Sequence, residues 1–114
     1  MDNCLFCKMV QGDIPVSKVY EDAHTLAFHD IAPQAPVHVL VIPKRHLDGL
    51  NDQPEDAGAV FGHLMRAVKE VAALTGVSQS GYRLISNCGP DACQSVQHLH
   101  FHVLGGKQLP EKMS

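Results

Sequence analysis

Runs of lysine or arginine are missing from this sequence, and its formal net charge is −3. Without a basic stripe, neither a nucleic-acid backbone nor an anionic membrane surface is an expected partner. No apolar stretch approaches the length needed to cross a bilayer. The opening Met1-Asp2-Asn3 shows neither the basic patch nor the apolar stretch of a secretory leader, so the expected location is the cytoplasm. There the four cysteines are expected as free thiols or metal ligands rather than disulfides. Internal repeats, low-complexity tracts and Pro/Gly/Ser linkers are absent as well. Aromatic residues are scarce at 5%, yet 45% hydrophobic and 18% charged residues are ordinary for a globular chain. Residues 1–114 have the length of one domain around one core.

What is present orders itself readily. Residues 4–11 suit a short helix stopped by Gly12, and residues 16–21 and 25–30 read as strands joined by Glu21-Asp22-Ala23-His24. Two prolines stiffen a loop over 31–36. The β-branched run at 37–42 predicts a buried central strand ended by Pro43. One long helix follows, with Asp52 or Gln53 as its cap, Pro54 in its first turn, and Glu55 and Asp56 at its positive end. Its apolar stripe is Ala57, Val60, Phe61, Leu64, Met65, Val68, Val71 and Ala72, and Gly76 stops it. Residues 82–86 and 96–104 complete a set of about five antiparallel strands. The fold class is α+β, a two-layer sandwich with the helix on one sheet face.

The densest chemistry lies in His98-Leu99-His100-Phe101-His102. On a strand, alternate side chains share a face, so three imidazoles project together while Leu99, Phe101 and Val103 pack behind them. Such a row suits metal binding, phosphate chemistry or both; the plainer reading is a solvated strand face. A second cluster is Cys4-Leu5-Phe6-Cys7. Alone, a CxxC can be redox-active, metal-binding or accidental. No strand precedes it, so the βαβ setting of a redox motif is lacking. A closed zinc site would need two further ligands.

Gln94-Ser95-Val96-Gln97-His98-Leu99-His100-Phe101-His102-Val103-Leu104-Gly105-Gly106 resembles the signature of the histidine triad nucleotide-binding family. Ala27-Phe28-His29-Asp30-Ile31, Pro33-Gln34-Ala35-Pro36, Val41-Ile42-Pro43-Lys44-Arg45-His46, Gly81-Tyr82-Arg83 and Asn87 resemble further blocks of it, in the same order. The resemblance runs from about residue 4 to about residue 108 and is nearest the nucleoside phosphoramidase branch. It implies a five-stranded antiparallel sheet with one long and one short N-terminal helix, and a homodimer. It also implies hydrolysis of purine nucleoside 5′-phosphoramidates to a nucleoside monophosphate and an amine. In that scheme His100 attacks the α-phosphate, His102 donates to its oxygens and Ser95 passes a proton to the amine. Asn87, Gln94 and Ser95 would hold the phosphate, Asp30 and His29 the ribose, and Phe28 and Ile31 the base. Asp30 could equally cap the 31–36 loop, and Phe28 and Ile31 could equally be packing residues. Some family members bind structural zinc, and the matching positions here are Cys4, Cys7, His46 and His98.

Two departures stand out. Cys93 occupies a position where relatives usually carry glycine, with Cys88 an unexplained thiol nearby, and the tail at 108–114 is short and lacks tryptophan. His24, His38 and His63 read as structural or surface residues. Three other functions compete: a dinucleoside-polyphosphate hydrolase, a nucleotide-binding interaction protein with vestigial activity, and a purely metal-binding histidine face.

Overall fold

A computed structural model describes residues 3–112. Residues 1–2, which entered the reading of a secretory leader, and the end of the tail at 113–114 lie outside the described residues. Helix α1 (Leu5–Gln11) is followed by strands β1 (Lys18–Glu21), β2 (Thr25–His29) and β3 (Val37–Pro43). Helix α2 (Ala57–Leu74), strand β4 (Tyr82–Ile85), a 3₁₀ turn (Pro90–Ala92) and strand β5 (Phe101–Gly105) complete the order. The five strands form one antiparallel sheet in the order β1-β2-β3-β5-β4. This is the α+β arrangement expected from the sequence.

Strand periodicity sorts the core into two. Ala27, Val39, Val41, Phe101 and Val103 face α2, meeting Leu64, Ala67, Val68 and Val71. Leu26, Phe28, Leu40 and Ile42 point the other way and pack against Phe6 of α1. The short helix therefore covers part of the second sheet face, making a third partial layer that the two-layer expectation omitted. Double cover explains why β2 and β3 read as apolar runs rather than alternating patterns.

Strand ends differ from the sequence reading by one or two residues, and two boundaries differ by more. Helix α2 begins at Ala57, because both expected caps are engaged in the turn before it. The Asp52 carboxylate accepts the Asp48 N–H at 2.9 Å, and the Gln53 amide donates to the Leu50 carbonyl at 2.7 Å. Asp56 takes the N-cap position, but its carboxylate pairs with Arg45 at 2.6 Å instead of capping the helix. Met65, assigned to the buried stripe, is 41% exposed. Strand β5 begins at Phe101 rather than Val96. The preceding backbone bonds elsewhere: Leu99 N–H donates to the Leu47 carbonyl at 2.6 Å, and the Ser86 hydroxyl donates to the His100 carbonyl at 2.8 Å. At the far end Gly106 has φ +87, and a Cβ there would lie 2.9 Å from Pro36 Cβ, so the turn out of β5 requires glycine.

Leu64 is fully buried between α2 and the sheet. Leu64→Ala is expected to destabilise the fold by about 2–5 kcal/mol in urea unfolding, whereas Leu74→Ala, at a 62% exposed position, should cost under about 1 kcal/mol.

Candidate active site and metal-ligand cluster

His98, His100 and His102 share the sheet face that carries Phe6, Phe28 and Leu40, and the first two are buried. The solvated-face reading of the row is thereby excluded. Each imidazole is fixed by a different partner. His100 Nδ1 donates to the His98 carbonyl at 2.7 Å, leaving Nε2 as the lone-pair nitrogen. The His100 ring stands edge-on to Phe6, with centroids 5.2 Å apart.

His102 is oriented by a residue the sequence reading treated as structural. The Gln34 N–H donates to His38 Nδ1 at 3.0 Å, so the His38 proton resides on Nε2. His38 Nε2 lies 2.9 Å from His102 Nδ1 and 3.4 Å from Asp30 Oδ2. His38 thus donates to His102 Nδ1, which leaves the His102 proton on Nε2. Burial, then the neighbouring His100 and His38, hold His102 down at about 4, with Asp30 opposing. Burial also lowers His38, against Asp30. Both rings are neutral at pH 7, and their tautomers are set by the relay. The signal was available in the sequence: His38 is the polar residue inside the apolar run of β3, in phase with Leu40 and Ile42.

A cavity of about 330 Å³ opens over His100 and His102. Leu5, Phe6, Met9, Val16, Phe28, Ile31 and Leu40 form its apolar wall, and Ser17, His29, Asp30 and Ser95 its polar lining. Phe28 serves core and cavity together, while Ile31 is fully exposed at the rim. Asp30 Oδ1 accepts the Ala32 N–H at 2.8 Å, so this carboxylate caps the loop as well as lining the cavity. Asn87, just beyond β4, and Gln94 are not among the lining residues. The Gln94 side chain ties its loop to the segment after β3, donating to the Asp48 and Val96 carbonyls and accepting the Gly89 N–H. Cys93 has φ 60, in the left-handed region. The position where the family resemblance implies glycine takes that backbone, at a cost of about 1–2 kcal/mol for a side chain.

Beside this cavity lie Cys4, Cys7, His46 and His98, one donor atom of each within 4.8 Å of the others. Cys4 Sγ is 3.3 Å and Cys7 Sγ 3.5 Å from His98 Nδ1, and Cys7 Sγ is 3.2 Å from His46 Nδ1. Both imidazoles offer Nδ1 inward because Nε2 donates outward: His98 to the Pro43 carbonyl and His46 to Asp48 Oδ1, each at 2.8 Å. Oriented imidazoles of this kind recur around bound metals. Donors sharing one tetrahedral ion stand about 3.3–3.8 Å apart given ordinary Zn–S and Zn–N lengths, and the three S···N separations, 3.2, 3.3 and 3.5 Å, lie at or just under that range. Burial, then the Cys4 thiol, push the Cys7 thiol up to about 11. Burial lowers His98. The donor set therefore fits a closed four-coordinate site.

Comparison with known proteins places the fold and the sequence in a family. The model of the HIT domain matches residues 11–109. An uncharacterised 13.2 kDa HIT-like protein of Azospirillum brasilense is 50% identical over 108 residues, spanning 94% of this chain and 88% of the relative. The structure of a HIT family hydrolase from Clostridium thermocellum superposes with a TM-score of 0.96 at 41% identity, covering 100% of this chain and 99% of that one. A histidine triad protein from Clostridium difficile gives 0.93 at 47% identity, covering 98% and 96%. With the domain model spanning most of the chain and relatives at 41–50% identity over nearly its whole length, the chain belongs to the HIT domain family.

Proposed function

We propose that this protein hydrolyses purine nucleoside 5′-phosphoramidates to a nucleoside monophosphate and an amine. The observation that carries the reading is the 2.7 Å hydrogen bond from His100 Nδ1 to the His98 carbonyl. It makes Nε2 of a cavity-lining ring the nucleophilic nitrogen. In the first step Nε2 bonds to the α-phosphorus as the P–N bond breaks, and the Ser95 hydroxyl gives its proton to the departing amine. In the second, water attacks the nucleotidyl-imidazole. The P–N electron pair returns to Nε2, and a water proton restores Ser95. His102 Nε2–H donates to the phosphate oxygens throughout. A neutral, pre-oriented donor suits a reaction that depends on positioning and charge stabilisation.

Asp30 and His29 take the ribose hydroxyls, and Phe28 and Ile31 flank the base. Asn87 adds a donor to the phosphate, while Gln94 shapes the loop that presents Ser95. Cys4, Cys7, His46 and His98 hold one structural zinc. The assembly is a homodimer through the free edge of β4, where Tyr82 is 40% exposed.

Single-turnover mass spectrometry on an adenosine phosphoramidate is expected to find an AMP adduct on His100. His100→Ala should lose turnover by about a thousandfold or more; undiminished turnover would remove the nucleophile assignment. Faster turnover of a diadenosine polyphosphate than of the phosphoramidate would favour the sister activity.

Metal analysis is expected to give about one zinc per chain, and Cys4→Ser to abolish it. Equal zinc in both proteins would refute the ligand set.

The low value at His102 sets a pH dependence. Below 6.5 the unfolded chain takes up a proton that the folded ring refuses until about 4. The contribution of His102 to stability is therefore full above 6.5 and lost as pH falls from 6.5 toward 4. Thermal unfolding should show this fall, and His102→Gln should reduce its slope; identical slopes would place the titration elsewhere.

A further inference from the structure

Phe6 lies between the two cysteines in sequence and between two imidazoles in space. Its ring meets His98 edge-on at 5.8 Å, His100 at 5.2 Å and Phe28 at 5.6 Å. Leu5 and Met9, from the same helix, join it in the cavity wall. That helix has seven residues, far too few to be stable without tertiary support. Its N-terminal turn is bound up in the cluster: Cys4 is the N-cap and accepts the Cys7 N–H, while both thiols reach His98 and Cys7 reaches His46.

We propose that the Cys4/Cys7/His46/His98 cluster sets nucleotide affinity by holding α1 as the wall of the cavity, with Phe6 the positioning residue that carries the coupling. The proposal rests on the nucleotide reading above and deepens it. A ligand set that is only structural would stabilise the fold and leave affinity alone. Here the cluster and the nucleoside share one short element, so each tightens the other, and the coupling must be reciprocal.

Isothermal titration with AMP tests it. Cys7→Ser is expected to bind AMP about tenfold or more weaker than wild type, with the α1 amides exchanging faster and those of β3 unchanged. Phe6→Ala should weaken AMP binding while keeping zinc, and Phe6→Leu should recover part of the loss. Val71→Ala lies in the core on the opposite sheet face; it should lower stability while keeping AMP affinity within about twofold. In wild type, AMP should tighten zinc in an equilibrium chelator competition by the same factor that zinc tightens AMP. Folded Cys7→Ser with AMP affinity within about twofold of wild type overturns the coupling alone. Should Cys7→Ser not fold, wild type stripped by chelator and reloaded with zinc replaces it, and AMP affinity must fall and return. Wild type that binds no AMP overturns the nucleotide reading and this inference together.

Discussion

The arrangement turns on one buried imidazole. His98 has no solvent exposure, and a buried polar ring must have every polar atom satisfied. Its Nε2 is met by the Pro43 carbonyl and its Nδ1 by the thiols, while its own carbonyl receives the proton of His100 Nδ1. The end of β3, the N-terminal helix and His100 are thus referred to the same residue. Displacing the ring would strand a carbonyl, open the cluster and free the His100 tautomer at once. The middle of the histidine row owes its chemistry to the first.

Neutrality is the second organising condition. Three imidazoles within a few ångströms cannot all be charged in a dry site, and burial lowers His38, His98 and His102 accordingly. A neutral imidazole is a donor on one nitrogen and an acceptor on the other, so each ring needs an external reference for its proton. Three references are visible: the Pro43 carbonyl, the His98 carbonyl and the Gln34 N–H. All three are backbone groups, whose donor or acceptor character does not change with pH. Side chains carry the proton chemistry while the backbone fixes its direction.

Much of this was legible in the sequence. Hydrophobic period placed every strand and the long helix, and alternation put the histidines on one face. The failures share a cause. Asp52 and Gln53 looked like capping residues because local pattern does not show which side-chain group a neighbouring loop will claim. Residues 96–100 looked like strand because they alternate, yet their backbone bonds to a loop and to Ser86. His38 passed for structural because its partners, Gln34 and His102, are meaningful only once β3 and β5 are paired. Cys93 could be seen to depart from glycine, but the reason, a positive φ, belongs to the backbone. Short-range signals survive folding, and side-chain allegiance across the sheet must be seen.

Cys4 and His98 stand 94 residues apart in sequence, and the cavity beside them has walls from both regions of the chain. Closing so long a segment carries a large entropic cost, and contacts of this span form late. A nascent chain that has completed β3 and α2 still lacks His100, His102 and anything for α1 to dock against. A cavity walled by both regions of the chain is consequently the last part of the molecule to take shape, complete only when α1 docks beside β5.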